Sequence, residues 1–331
     1  MPANLTQDFK NAEERYRGAR TTPEKLECLQ EMLRVIPKHK GTDHMQADIK
    51  KRISKLKKES SKKSATSVHQ LHVKPEGIGQ IFVLGAPNAG KSQLLKSLTN
   101  AEVQVEPYPY TTAMYQPGMM RYIDVWVQLV DMPPISAESA MPWIPSVARY
   151  GNAALFVLSL ASDDILTEAE EVLEFLENGK VRLARKGEQF GQLEKGLASL
   201  ETLLVLTHAK DPDASFRREM LAEMIGDSYP CAEVDFINDP ESVEALKKPI
   251  YQLLHRTRVY TKQPGKPPDS GDPFAVKEGT TVEGLAERIH KDIRAGLKYA
   301  RIWSDDPNMH EGQRVARDYI IQEGDIIELH S

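Results

Sequence analysis

Gly85-Ala86-Pro87-Asn88-Ala89-Gly90-Lys91-Ser92 decides the reading of this chain. It follows the short apolar run Ile81-Phe82-Val83-Leu84 and opens onto Gln93-Leu94-Leu95-Lys96-Ser97-Leu98, so a strand feeds a helix through a glycine-bounded loop. The eight residues fit G-x-x-x-x-G-K-[ST], the loop that cradles phosphates, in the strand–loop–helix context that the motif requires. Glycines let the backbone curl until several N–H groups face one phosphate, and the start of the helix adds partial positive charge. Lys91 supplies a full charge for the β- and γ-phosphates, and the Ser92 hydroxyl is suited to ligate Mg²⁺. The expected cradle therefore comprises Gly85, Ala86, Pro87, Asn88, Ala89, Gly90, Lys91, Ser92 and Gln93.

Working outward, further apolar runs follow at Val125–Val130, Ala154–Leu160, Leu203–Leu206 and Val234–Ile237, and helical patterning separates several of them, notably at Thr167–Leu176. Buried strands alternating with helices predict an α/β domain with a parallel sheet over about residues 76–257. Towards the N-terminus the pattern is helical. Leu26, Leu29, Met32 and Leu33 share one face after Thr22-Pro23, and Ile49, Ile53 and Leu56 share another, with Lys51, Lys55 and Lys58 opposite. Pro37–Gly41 would join the two as a hairpin, and Glu59–Ser67 reads as a Ser/Lys-rich linker, giving an arm and linker over 1–75. Towards the C-terminus Gln263–Asp272 is Pro/Gly-rich. Around it lies a compact β-grasp pattern over 258–331: strands at Phe274–Val276, Tyr299–Trp303 and Ile326–Leu329, and a helix from Val282. Thr280 and Glu283 are spaced as a capping box at the helix start.

The chain has 331 residues with 40% hydrophobic and 27% charged residues, the mix of a globular protein with a real core, and the length suits two or three domains. No run reaches the roughly 18 apolar residues of a membrane span, and the polar start MPANLTQDFK has no apolar signal core, so no membrane association is expected. The cysteines, Cys28 and Cys231, are far apart and lack metal-ligand spacing, which points to a reducing compartment and a cytoplasmic protein. Charge is unevenly spread. Residues 1–75 carry a net +8 and the remainder a net −13. A basic arm on an acidic body suits a polyanionic partner such as RNA; the alternative is a solvated arm whose lysines maintain solubility.

Downstream motifs carry a family resemblance. The style G-x-P-N-x-G-K-S resembles the Obg/Era-like GTPases, and Tyr108-Pro109-Tyr110-Thr111-Thr112 resembles the switch I segment of Obg and DRG (developmentally regulated GTP-binding) proteins. Val127-Gln128-Leu129-Val130-Asp131-Met132-Pro133 is similar to the strand that leads into the D-x-x-G signature. The C-terminal segments Arg258–Lys262, Pro264–Asp269, Thr281-Val282-Glu283, Ile289-His290-Lys291 and Glu323–Leu329 resemble the TGS domain of DRG proteins. Pro37–His44 and Lys51–Leu56 resemble the basic helical region ahead of their GTPase domain. The resemblance covers most of the chain. It implies a P-loop GTPase domain with a helical arm and a TGS domain, binding GTP or GDP with Mg²⁺, hydrolysing slowly, and acting on the ribosome or RNA through the arm and the TGS domain. It assigns the metal shell to Ser92, Thr112 and Asp131, with Thr111 as the neighbouring choice to Thr112. Lys91 and Thr112 are the groups at the reacting phosphate. Asn88 resembles the asparagine that coordinates K⁺ in cation-dependent members; its other reading is a turn-stabilising asparagine.

The sequence also departs from the family. The D-x-x-G signature reads Asp131-Met132-Pro133-Pro134, and proline has no N–H with which to bond a γ-phosphate. The residue after it, Ile135, is ordinary for the group. The base-reading N-K-x-D becomes Thr207-His208-Ala209-Lys210-Asp211. Registering on Asp211 puts His208 in the asparagine's place; registering Thr207-His208 on N-K leaves Asp211 one place late. Either way guanine preference is expected to weaken, because partial polar contacts discriminate less than paired ones. Cys231-Ala232 is a weak equivalent of the following S-A signature. The stretch Ser162–Thr202 reads as mainly helical, too short for the small inserted domain of DRG proteins. Two rival functions stand beside the GTPase reading: a nucleotide-binding scaffold without hydrolysis, and an ATP-preferring P-loop protein. His69 and His72, in a polar linker, read as a solvated pair rather than a zinc site.

Overall fold

The computed structural model describes residues 15–16, 22–36, 49–53, 73–99, 115–193, 196–267, 273–307 and 309–330. It divides into two units, Met1–His72 and Val73–Ser331. In the first, helix α1 (Thr22–Val35) starts where Thr22-Pro23 announces it. Leu29, Met32 and Ile36 recur at three- and four-residue spacing and pack with Ile49 in one buried cluster. Residues 49–53 are helical; the remainder of the expected second helix, the linker, His69 and His72 lie outside the described residues.

In the second unit, strand β1 (Gln80–Gly85) is buried at all six positions, as its uninterrupted apolar run requires. Strands β3 (Val125–Asp131) and β4 (Ala153–Ser159) flank it in parallel. Beyond β4 lie β7 (Ala198–Thr207) and then β5 (Val181–Ala184), again parallel. On the other side β2 (Gln116–Tyr122) pairs antiparallel with β3, so the sheet is mixed, in the order β2-β3-β1-β4-β7-β5. Helix α2 (Lys91–Thr99) follows the phosphate loop and buries Leu94, Leu95 and Leu98 against the sheet. After β3 come the short α3 (Ile144–Ala148) and, past β4, α4 (Ile165–Asn178). Helix α5 (Ala214–Ile225) follows β7, and α6 (Pro240–Ala245) and α7 (Lys247–Gln252) close the domain.

Two sequence expectations need correction here. Ser162–Thr202 is not mainly helical: after α4 it carries β5, the two-residue β6 (Gly191–Gln192) and the start of β7. The last strand, β8, is Cys231–Glu233, ahead of the apolar Val234–Ile237. It pairs in parallel with β7, and this backbone pairing rather than apolar content fixes its position.

The C-terminal part is a second sheet: β9 (Arg256–Lys262), β10 (Phe274–Lys277), β11 (Tyr299–Trp303), β12 (Gln313–Val315) and β13 (Ile326–His330), in the order β10-β9-β13-β11-β12. β9 and β13 are parallel neighbours, and α8 (Val282–Ile289) packs Val282, Leu285 and Ala286 into the core they form with Val259, Ile302 and Ile327. This is the expected β-grasp. The helix cap is Thr281, whose hydroxyl accepts from the Gly284 N–H at 3.2 Å, whereas Thr280 donates to the Lys277 carbonyl at 2.5 Å. The short α9 (Lys291–Gly296) follows.

One buried cluster joins the two sheets. The Arg258 guanidinium, 8% exposed, donates to Asp124 at the β2–β3 turn and to Glu323, each at 2.6 Å. Tyr260 donates to the same Asp124, and Tyr122 stacks on Tyr251 at 4.6 Å beneath the guanidinium. A buried arginine held by two carboxylates is satisfied on both sides, so the C-terminal domain is tied to the tip of the hairpin whose other end, Asp131, lies at the phosphate loop.

Candidate nucleotide-binding site

Two glycines shape the phosphate loop. At Gly85 a Cβ would stand 2.2 Å from the Val157 carbonyl oxygen, so the strand can leave the sheet here only without a side chain. Gly90 has φ +90° and turns the chain into α2, where Leu94 N–H bonds to its carbonyl at 2.8 Å. Asn88 between them also sits in the left-handed region, at φ 57°, a conformation that asparagine tolerates. Ala86, Pro87 and Ala89 complete the curl, and Lys91, Ser92 and Gln93 form the first turn of α2, where backbone N–H groups lack intrahelical partners.

Lys91 is 6% exposed, and its ammonium donates to the carbonyls of Gly85 at 3.1 Å and Ala86 at 2.7 Å. Burial lowers its pKa, while the negative charges of Asp131 and Glu168 work the other way. Asp131 ends β3 and takes the Ser92 hydroxyl on Oδ2 at 2.5 Å. Burial raises its carboxyl pKa, against the Ser92 hydrogen bond and the Lys91 charge. Its Oδ1 is buried and has no partner. A hydroxyl and an orphaned carboxylate oxygen beside the cradle are hard donors that suit Mg²⁺, which binds through one or two carboxylates and keeps its waters. Among the described residues no group of three or more His, Cys, Asp or Glu is placed to hold a metal. Thr111 and Thr112, with Tyr108 and Tyr110, lie outside the described residues.

The segment after Asp131 is notable for what it lacks. Pro133 and Pro134 have no N–H. The N–H groups of Met132 and Ile135 are used by Val83 and Gly85 carbonyls, at 3.1 and 3.2 Å, and both side chains are buried.

Across the loop, Thr207 ends β7. Its hydroxyl donates to the Ala89 carbonyl at 2.9 Å, so it is Thr207, not His208, that ties the base-side segment to the phosphate loop. His208 has φ 56° and sets Nδ1 3.0 Å from both the Ser159 and Thr207 hydroxyls. Asp211 begins the turn into α5, and its Oδ1 is taken by Arg217 at 2.8 Å and by the Asp213 N–H at 3.0 Å. Sequence reasoning passed over Asp235, whose Oδ2 accepts from the Lys210 N–H at 3.3 Å and whose Oδ1 takes Ile237, Asn238 and the Asn238 amide. Hydrogen bonds from these N–H groups, that of Asn238 foremost, hold its pKa low against burial. Cys231-Ala232 sits in β8, upstream of this loop. Glu168 on α4 was also missed. Its signal was readable: Ile165, Ala169, Val172 and Leu176 form the buried stripe, and Glu168 falls on that face at i+3 and i−4.

Residues 80–186 match the 50S ribosome-binding GTPase family, and residues 257–331 match the TGS domain. The chain carries a GTPase-family domain and a C-terminal TGS domain, and the curated proteins it resembles are DRG-like and other GTP-binding proteins. It is 25% identical to a GTP-binding protein of Methanocaldococcus jannaschii over 92% of each chain. It is 24% identical to developmentally-regulated G-protein 3 of Arabidopsis thaliana, over 93% of this chain and 98% of that one. It is 23% identical to developmentally-regulated GTP-binding protein 2 of Homo sapiens, over 92% and 98%. The first sheet, with Gly85–Ser92 at its centre, is therefore the GTPase domain, and the second sheet is the TGS domain. Among the described residues no helix is long and apolar enough to cross a membrane.

Proposed function

We propose that this chain is a GTP-binding regulatory protein that hydrolyses GTP slowly with Mg²⁺ and acts on the ribosome or another RNA assembly. The observation that carries the nucleotide reading is the convergence of Lys91, Ser92 and Asp131 on one glycine-shaped loop, with a buried carboxylate oxygen left without a partner. Lys91 would turn from the Gly85 and Ala86 carbonyls to the β- and γ-phosphates, exchanging two neutral acceptors for charged ones. Residues Gly85 to Gln93 would wrap the phosphates with backbone N–H groups. Ser92, Asp131 and Thr112 would hold Mg²⁺, which supplies charge neutralisation at the phosphate oxygens. Thr112 and Lys91 are then the protein groups closest to the reacting phosphate. The altered switch II, with Pro134 in place of the signature glycine, supports slow rather than fast turnover. Asn88 is the residue that would contact a K⁺ ion.

On the base side His208 would line the pocket and Asp211 would accept from guanine through Oδ2. The engagement of Oδ1 with Arg217 favours a second reading of this half of the site, in which guanine is preferred over adenine by a small factor only. The basic arm over 1–75, the GTPase domain over 76–257 and the TGS domain over 258–331 divide the work, with the arm and the TGS domain meeting RNA in the cytoplasm. The net +8 of the arm supports that assignment, because polyanion binding rests on such charge.

Binding of fluorescent GDP in the presence of Mg²⁺ tests the core of the proposal. Saturable binding that is lost in Lys91→Ala is expected, and binding unchanged in that variant would remove the phosphate loop from the function. Co-sedimentation with ribosomes that weakens as salt rises tests the partner; no co-sedimentation at low salt would exclude it.

A further inference from the structure

A cavity of about 730 Å³ opens beside the phosphate loop, bounded by Pro87 and Asn88, by Ser136–Glu138 of the segment after β3, and by Ser162 and Glu168 at the start of α4. Its lining poses a problem for GTP hydrolysis. A water that attacks the γ-phosphate must be held by a hydrogen-bond acceptor, and proximity and orientation are most of what a GTPase contributes. The four residues after Asp131 offer no side-chain acceptor and no free N–H for this: their backbone N–H groups are absent or spent, and none of Met132, Pro133, Pro134 and Ile135 has a polar side chain.

Glu168 stands where that acceptor is missing. It lies in the first turn of α4 and lines the same cavity as Pro87 and Asn88 of the phosphate loop. Its Oε1 is fixed by the Ser162 hydroxyl at 2.9 Å. Its Oε2 is buried and has no partner, a state that costs free energy until a donor arrives. Three residues on, Glu171 takes the Ala137 N–H at 3.0 Å and so holds the segment after β3 against α4. Burial raises the Glu168 pKa; the Ser162 bond opposes it, Asp164 and Glu171 add to it, and Lys91 opposes it. Glu138 and His208 also line the cavity.

We propose that Glu168 positions the attacking water, supplying the side-chain acceptor that the segment Met132–Ile135 lacks. This rests on the GTP-hydrolysing reading above. One water O–H donates to the Glu168 carboxylate while the water oxygen bonds to the γ-phosphorus. The bond from that phosphorus to the bridging oxygen breaks, its electron pair leaves with GDP, and both water protons end on the inorganic phosphate. Glu168 finishes in the state in which it began.

The test is single-turnover hydrolysis of Mg·GTP, with GDP and GTP-analogue affinities measured beside it, for wild type, Glu168→Ala, Glu168→Gln and Ser162→Ala. Loss of a positioning contact costs on the order of 10- to 100-fold in rate, so Glu168→Ala should fall by that much with affinities within about threefold of wild type. Glu168→Gln keeps an acceptor oxygen and should stay within about threefold in rate, a rescue that a charge-balancing role would not give. Ser162→Ala frees the carboxylate to swing and should fall by about fivefold, which keeps the proposal testable even where Glu168→Ala does not fold. Wild-type rates in Glu168→Ala and Ser162→Ala overturn the proposal. So do affinity changes that account for the rate changes, or Gln behaving as Ala. A wild-type protein that binds GTP without hydrolysing it overturns the proposal while the nucleotide site stands; a wild-type protein that binds no GTP overturns the underlying reading.

Discussion

The two halves of the nucleotide site are built differently. The phosphate half is mostly backbone: Gly85 against Val157, Gly90 at φ +90°, the free N–H groups of α2, and two side chains, Lys91 and Ser92, whose spacing the motif fixes. The base half is mostly side chain: Thr207 on the Ala89 carbonyl, His208 between two hydroxyls, Asp211 bound to Arg217, and Asp235 organising the facing loop. Recognition by backbone tolerates sequence drift, because any residue supplies an N–H. Recognition by side chains changes with each substitution. A chain that diverges from its relatives therefore keeps its grip on phosphate and loses its reading of the base first.

That contrast can be broken or sharpened by mutation, beginning where the effect is largest. Lys91→Ala removes a charge-assisted contact to phosphate of about 3 kcal/mol, so nucleotide affinity should fall about 100-fold for guanine and adenine nucleotides alike, read by fluorescence titration. Asp131→Asn keeps the shape but removes the carboxylate charge. The Mg²⁺ enhancement of triphosphate binding, titrated with metal and chelator, should shrink by about tenfold, while Mg²⁺-free binding changes little. Thr207→Val deletes one neutral hydrogen bond to the phosphate loop, worth about 1 kcal/mol, and should weaken GDP and ADP by the same roughly fivefold factor. Asp211→Ala should have the smallest effect, below about threefold on GDP and none on ADP in a competition assay, because Arg217 already occupies one of its oxygens. A large, guanine-only loss in that variant would show that the base half is as well built as the phosphate half.

Legibility in the sequence followed the same division. The strand–loop–helix around Gly85–Ser92, the apolar runs of β1, β3, β4 and β7, and the TGS segments could be read directly, because each is announced by an uninterrupted apolar run or a fixed motif. The β2 strand, Gln116-Pro117-Gly118-Met119-Met120-Arg121-Tyr122, has no alternation to announce it. It forms because β3 offers an edge and because Gly118 lets it pass Thr99 and Leu95 closely. β5 and β6 were hidden in a stretch read as helical, since four- and two-residue strands are too short for periodicity to appear. The register of Thr207–Asp211 cannot be chosen from residue types, which also do not announce the Thr207 hydroxyl's bond to the Ala89 carbonyl. Glu168 was passed over because a carboxylate on an apolar helix face looks like an error in the stripe until the cavity it faces is known.

The most direct test of the contrast is isothermal titration of the wild-type protein and Lys91→Ala with Mg·GDP and Mg·ADP. Both nucleotides should bind wild type, GDP more tightly by less than about 100-fold, and both should bind the variant about 100-fold more weakly. Discrimination of about 10⁴ or more would contradict the weak base half, because that is the level reached by a site that pairs every polar group of its ligand. Binding as tight in Lys91→Ala as in wild type would contradict the account at its centre, the grip of the Gly85–Ser92 loop on phosphate.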